Sequence, residues 1–416
     1  MTYPRYLKSR LLQAFKVSPV VLLIGPRQSG KTTLMKTLVG ELGMQYLTFD
    51  TLKQLAAAQE DPEGFVAGLE TPIILDEVQR VPEIALPIKL RVDEHRTPGS
   101  FGLTGSANPL VAPKLNDSLA GRMFILHLWP LSVSEIERKK PHFLESAFNT
   151  EARFSVKYSY NRKEVIEILL KGGYPDALAL DVPVRDEWYD NLLTTILERD
   201  VRDIAHLHRP RDLAKLLTIL ATRTASLLNL SDVSRNAMIP YTTLNQYMAI
   251  LESLFLIIRQ PPWHRNRTKR LVKMPKLYFG DTGLLINQLR VGKDVIAEDG
   301  RLLGSILENF VFMELKKLAS WSQEKIDLYH FRTDTGHEVD IVLENRAGQV
   351  VGIEVKASET ISPDDWKGLS VLENEMEDKL VRSIIFYLGK EVISLRNNRL
   401  ALPLSALWEG GITEED

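Results

Sequence analysis

The sequence predicts an α/β protein: a parallel-sheet core at the front, a helical middle and a second strand-rich α/β unit at the end. Three observations carry this. Apolar runs of strand length, "VVLLIG" at 20–25 and "TPIILDE" at 71–77, alternate with helical text. From 132 to 229 the text is mainly helical, broken at Pro141, at "GGYP" (172–175) and at Pro210. The last third, after a helix over 302–320, gives four strand-like runs: "LYHFR", "HEVDIVLE", "VVGIEVKA" and "SIIFYLG".

The elements follow in order. Arg5 to Phe15 reads as a short amphipathic helix. "VVLLIG" is continuously apolar, as a strand buried on both faces should be. "PRQSGKTTLMKTLVGELG" reads as a loop turning into a helix, and "MQYLTFD" (44–50) and "SFGLTGSA" (100–107) read as further buried strands. Trp188, Leu192 and Ile196 fall at helical spacing and predict a packing stripe. A helix near 212–228 is followed by helix–turn–helix text, "LSDVSRNAMIPYTTLNQYMAILESLFLI". "EDG" at 298–300 is a candidate linker. These shifts divide the chain into 1–135, 136–211, 212–290 and 291–416, and 416 residues suit several domains.

Composition excludes several chemistries. There is no Cys, which removes disulfides, thiol catalysis and Cys-ligated metals. The eight His are scattered. A net charge of −2 gives no global pull toward nucleic acid, so any such binding needs a local patch. The start lacks the apolar run of a signal peptide, and the longest apolar runs are too short to span a bilayer. A soluble, cytoplasmic protein without membrane contact is expected.

"GPRQSGKT", Gly25 to Thr32, fits G-x-x-x-x-G-K-[ST] between a strand and a helix. Such a loop curls its backbone N–H groups toward phosphate oxygens, and the helix start adds its positive end. Gly25, Pro26, Arg27, Gln28, Ser29, Gly30, Lys31, Thr32 and Thr33 are therefore expected to hold ATP. Lys31 would reach the β- and γ-phosphates, and Thr32 would ligate Mg²⁺. Asp76, closing an apolar run, would hold the metal's water shell, and Glu77 would orient or deprotonate the attacking water. Thr104 or Ser106 could sense the γ-phosphate. Arg122, in "SLAGRMF", is a candidate arginine finger acting on a neighbouring subunit, or else a structural Arg.

"GPRQSGKTTL", "IILDEVQRVPE", "LTGSAN", "SLAGR", "GGYP" and "ERDV", in this order, resemble a prokaryotic family of AAA-type P-loop ATPases with a C-terminal domain of unknown function. The resemblance covers nearly the whole chain. It implies an ATP-binding core, a winged helix and a nuclease-like terminal domain, and AAA-type sites often borrow an Arg from another subunit, so a homo-oligomer is expected.

In the helix–turn–helix text, Leu244, Met248 and Leu251 would pack inward, leaving Thr242, Thr243, Asn245 and Gln246 to face DNA. "WHRNRTKRLVKMPK", Trp263 to Lys276, has six Lys or Arg and no acid, which suits phosphate contact. Asp340, then Glu354-x-Lys356, matches the D…(D/E)-x-K pattern of the restriction-endonuclease-like superfamily. Glu354 and Lys356 are two apart and share a strand face. The two carboxylates would bind Mg²⁺ and Lys356 would position hydroxide. Glu308 resembles the helix-borne acid that some members add to the metal set, and Val339 stands where the nominal Pro would be. Two readings remain: an ATPase acting on DNA through a Mg²⁺-dependent endonuclease domain, or an ATP-dependent switch or scaffold whose nuclease-like domain is inactive. A small-molecule kinase is a weaker third.

Overall fold

The computed structural model describes residues 3–108, 119–204, 210–270 and 273–409. Five parallel strands form the first sheet: β1 (Val20–Ile24), β2 (Gln45–Thr48), β3 (Ile73–Asp76), β4 (Phe101–Gly105) and β5 (Met123–His127). Their order is β2-β3-β4-β1-β5. β1 is buried at all five residues because strands cover both edges and helices both faces. Its sequence can therefore be apolar without alternation.

Two strand expectations change. β2 is an edge strand, exposed at Gln45 and half-buried elsewhere, so "MQYLTFD" is not a buried strand. β5 lies at the other edge and was not singled out from sequence. Its Phe124 is exposed and His127 half-buried, so its text carries neither a continuous run nor a clean alternation.

The helix Val182–Thr195 continues through a π-helical turn, Ile196–Asp200. Its stripe packs as expected, with Leu192 and Ile196 buried and Trp188 half-buried against them. The helix expected near 212–228 instead runs Pro210–Ala221, and Ser226–Leu227 forms β6. Ala225, at φ 56°, turns the chain between them.

Helices Leu230–Ala237 and Tyr241–Ser253 follow, then β7 (Ile257–Gln260) and β8 (Lys276–Phe279). β6, β8 and β7 form an antiparallel sheet in that order. Leu244, Met248 and Leu251 are buried. Thr242, Asn245 and Gln246 are exposed and Thr243 is half-buried.

"EDG" is not a linker: the Asp299 side chain accepts the N–H groups of Arg301 and Leu302 and caps the helix Gly300–Trp321. Such caps satisfy donors that the first helical turn leaves unpaired. Beyond it lie β9 (Ile326–Arg332), β10 (Glu338–Asn345), β11 (Val350–Lys356), β12 (Leu380–Tyr387), β13 (Ile393–Leu395) and β14 (Arg399–Pro403). They form a mixed sheet, β13-β14-β12-β11-β10-β9, with β10 and β11 antiparallel and β11 and β12 parallel.

The long helix ties the units together. Buried Asn309 accepts the Phe279 N–H at 2.7 Å and donates to the Phe279 carbonyl at 3.1 Å. Nearer its end, Glu314 accepts the Val133 N–H at 3.0 Å, and Lys317 donates to the Leu131 carbonyl at 3.0 Å. The largest buried apolar cluster accordingly runs from Val20 to Trp408. No described helix is long and apolar enough to cross a membrane.

Candidate functional site

The parallel sense of the first sheet places the C-terminal ends of β1, β3 and β4 at one edge, where the predicted nucleotide residues meet. Gly30 sits at φ 95°, a left-handed conformation that glycine adopts without a Cβ penalty, and it starts the helix Lys31–Leu42. Lys31 is buried, and its ammonium donates to the Gly25 and Pro26 carbonyls at 2.9 Å each. Burial pushes its pKa down, against Glu77, Asp76 and Asp200, which favour the charged form.

Asp76 is the hub. Its carboxylate accepts from the Thr32 hydroxyl at 2.9 Å, from the Tyr46 hydroxyl at 2.6 Å, and from the Thr104 hydroxyl. Thr32 and Asp76 thus present hard oxygen donors side by side, a set that fits Mg²⁺.

Thr104 faces this network rather than open space, and its hydroxyl accepts the Glu77 N–H at 3.1 Å. Glu77 is left-handed, φ 62°, a conformation uncommon for a non-glycine residue and concentrated at functional sites. Gln79 bonds the Glu77 carboxylate and donates to the Ser106 hydroxyl at 3.0 Å. Just beyond, the Asn108 N–H donates to the Ser253 carbonyl at 2.8 Å, at the end of the helix Tyr241–Ser253.

These residues open on a cleft of about 430 Å³, whose lining includes Arg27, Gln28, Lys31, Thr32, Thr33 and Glu77. Sequence reasoning missed other parts of its wall, among them Tyr3, Arg5, Leu131, Pro175 and Asp176. Arg5 donates to the Ser29 carbonyl at 2.9 Å and the Trp129 carbonyl at 2.6 Å, pinning the phosphate loop to β5's extension. Pro175 and Asp176 arrive through "GGYP". A Cβ on Gly173 would meet the Leu131 carbonyl oxygen at 2.3 Å, so only glycine fits there. Its N–H donates to Asp281 at 2.7 Å, and Asp281 also accepts from Tyr189 at 3.0 Å. The signal was the motif itself, quoted without a role. "ERDV" acts similarly: Asp200 pairs with Arg27 of the loop at 2.8 Å.

Arg122 precedes β5, at the opposite end of the sheet from the cleft, since Val20 pairs with Met123. It is half-exposed and bonds Asp93, with Nη2 to Oδ2 at 2.9 Å. It cannot reach the nucleotide cleft of its own chain.

The second predicted site assembles with an addition. Glu308 from the long helix and Asp340 from β10 approach each other, but Lys276 of β8 lies between them. Its buried ammonium is 2.9 Å from Glu308, 3.1 Å from Asp340 and 2.5 Å from Glu338. Tyr278 donates to Glu308 at 2.7 Å. Among the described residues no group of three or more His, Cys, Asp or Glu is placed to hold a metal ion. Of the residues expected to hold a metal, Glu308 and Asp340 share the Lys276 ammonium between them in this structure. Glu354 and Lys356 share a face as expected, but pair with each other at 3.0 Å, while Asp340 accepts the Val355 N–H at 3.0 Å.

The charges respond accordingly. Burial and then Asp340 raise Glu308 to about 7. Burial opposes the charged form of Lys276, but Glu308 and Asp340 outweigh it and hold its pKa well above the usual lysine value.

Half of the cations in the basic run from Trp263 to Lys276 meet acids of the chain itself. Arg270 bonds Glu344 and Lys276 meets Glu338 and Asp340, all acids of β10, and Lys273 lies 3.3 Å from Asp334 in the turn before it. Composition identified the positive charge but not the acids it meets.

Half-buried His127 and buried His330 give a pH dependence. Burial, with Lys316 beside His127 and Lys276 near His330, lowers each from 6.5 to about 4. Protons then bind the unfolded chain more tightly. Stability is unaffected above the unfolded value and falls as pH drops from about 6.5 to about 4, on the order of 2 kcal/mol per histidine by pH 5. Urea unfolding at pH 7 and pH 5 should show the loss, and His330→Phe should shrink it; an equal loss in that variant counts against the assignment.

Comparison with known families places this geometry. The model of an AAA domain matches residues 17–137, and models of two domains of unknown function match 162–295 (DUF8612) and 303–407 (DUF4143). Uncharacterized proteins of Mycobacterium bovis and Mycobacterium tuberculosis are each 29% identical over 409 residues, 98% of this chain and 85% of theirs. A protein of Haemophilus influenzae is 24% identical over 334 residues, 74% of this chain and 76% of its own. A Walker-type ATPase of Pyrococcus abyssi is similar at a TM-score of 0.45 and 15% identity, covering 70% of this chain and 96% of that one.

Proposed function

With an AAA-type P-loop ATPase domain at residues 17–137 as the premise, we propose that the chain is an ATP-hydrolysing switch. The observation that carries this is the convergence of Lys31, Thr32, Asp76 and Glu77 on one cleft at the strand ends. Lys31 and the loop N–H groups from Gln28 to Thr33 bind the phosphates. Thr32 and Asp76 would hold Mg²⁺, which would supply charge neutralisation to the phosphates. Glu77 takes the proton of the attacking water, and Gln79 holds its carboxylate in place.

Glu77→Gln tests this: nucleotide binding is retained while turnover falls about 100-fold or more, the usual cost of losing a general base. Unchanged turnover rejects the assignment.

Hydrolysis has a route outward. Gln79 and Ser106 link Glu77 to the segment whose Asn108 bonds Ser253. We read residues 212–290 as a winged helix and 291–416 as a restriction-endonuclease-like domain. On this reading the exposed face at Thr242, Asn245 and Gln246 is what the winged helix offers to DNA. Arg122 serves a neighbouring copy's cleft in a homo-oligomer.

Of the two sequence readings, the switch with an inactive nuclease-like domain is favoured, because Lys276 occupies the acidic centre. Plasmid and linear DNA incubated with the protein, Mn²⁺ and ATP should remain uncut while ATP is consumed. Cleavage lost on Asp340→Ala would overturn the inactive reading.

A further inference from the structure

A second cavity of about 450 Å³ lies where the first sheet, the long helix and the terminal sheet meet. Its wall carries Arg10, Lys316, Lys325 and Arg346 against a single carboxylate, Asp327. We propose that this cavity binds a phosphate ester, with Lys316 as its principal cation and Trp129 as its ring wall.

Lys316 is the telling residue. Other inward-facing cations have polar partners at hydrogen-bond distance: Lys317 pairs with Glu314 at 2.8 Å, Lys276 with Glu308 at 2.9 Å and Arg27 with Asp200 at 2.8 Å, while Lys31, Arg185 and Arg382 donate to carbonyls. Lys316 stands over the Trp129 ring at 5.6 Å and the Phe312 ring at 5.9 Å, with no ion pair or hydrogen bond among the described residues. A desolvated ammonium without an anion is costly, and an incoming anion relieves the cost. Asp327 acts on it only through space and does not offset its burial, and the Asp327 carboxylate sits 3.9 Å from Lys325. Arg346, exposed in the turn between β10 and β11, and Arg10, whose Nη1 donates to the Ser320 carbonyl at 2.9 Å, complete a cationic rim.

Phosphate suits this site better than carboxylate does. Several cations converge from separate elements, matching an anion with several oxygens. The cavity is distinct from the nucleotide cleft but adjoins it: the Trp129 ring lines one, and the Trp129 carbonyl accepts from Arg5, which lines the other. The phosphate comes from a free nucleotide or from a nucleic-acid strand.

The test uses the full chain carrying Lys31→Ala, so that the phosphate loop does not contribute and failure of the ATPase reading does not affect the outcome. Calorimetric titrations with pyrophosphate, ADP and a single-stranded oligothymidylate distinguish the sources. At least one should bind, and binding should weaken with salt. Lys316→Gln should weaken it about tenfold or more, in line with loss of a charged hydrogen bond. Arg346→Gln, at an exposed turn, should weaken it several-fold without altering the melting temperature. Lys316→Arg should retain binding. No binding of any probe at millimolar concentration overturns the proposal. So does equal binding by the parent, Lys316→Gln and Arg346→Gln.

Discussion

Lys31→Ala is expected to remove measurable ATP turnover, a loss of about 100-fold or more, the scale of deleting one preorganised donor to a charged transition state. The expectation rests on burial and direction. The Lys31 ammonium is held inside the loop by the Gly25 and Pro26 carbonyls, so it is placed before any phosphate arrives. Neither an Ala methyl nor water restores that charge.

The same variant should not cost the apo protein stability. Burial already disfavours the charged form of Lys31, and removing it relieves desolvation at the expense of two hydrogen bonds. Thermal melts separate the effects. In the parent, saturating nucleotide adds stability by mass action, about 2.7 kcal/mol at one hundred times Kd. In Lys31→Ala that shift should vanish while the apo melting temperature stays within a few degrees. A variant that keeps the nucleotide shift would show that the loop does not hold phosphate through Lys31.

The second large effect is expected at Lys276, as a loss of stability. Lys276→Ala leaves Glu308, Glu338 and Asp340 facing one another without their shared cation. Breaking a buried pair from one side costs about 3–5 kcal/mol, because the remaining charges stay desolvated. Three acids on one ammonium place this site at the upper end. Denaturant titration should show the loss. Adding Glu308→Gln to Lys276→Met should recover part of it, by at least about 1 kcal/mol, the coupling expected of residues in one network. Additive losses in the double variant would mean that the cluster does not act as a unit. The network also joins β8 to the long helix and β10, so its loss should loosen the contact between the middle and terminal units.

Much of the first site was legible because local sequence dictates it. A phosphate loop is a short contiguous segment whose glycines, lysine and threonine act within one turn, and the apolar strand before it announces itself. Asp76 was equally readable, since a lone acid closing an apolar strand has few other uses. Its neighbours were not. Tyr3, Arg5, Pro175 and Asp176 come to the cleft from segments far apart in the chain, and no pattern in their own text names that destination. Thr104 or Ser106 was expected to sense a γ-phosphate, and nothing in the text showed that Thr104 also bonds Asp76 and the Glu77 N–H.

The terminal site shows the boundary most clearly. The two-residue spacing of Glu354 and Lys356 fixed their shared face, and the strand period guarantees it. Asp340 and Glu308 were read as metal ligands from a pattern that holds no information about what lies opposite. The opposing group, Lys276, sits thirty-two residues before Glu308, inside a run that reads as a nucleic-acid surface by composition alone. The sequence by itself determined the phosphate loop, the strands that aim it and the face on which each acid lies. Only the tertiary structure decided which charges meet, because side-chain direction is set by local periodicity whereas electrostatic partnership depends on how separate elements pack.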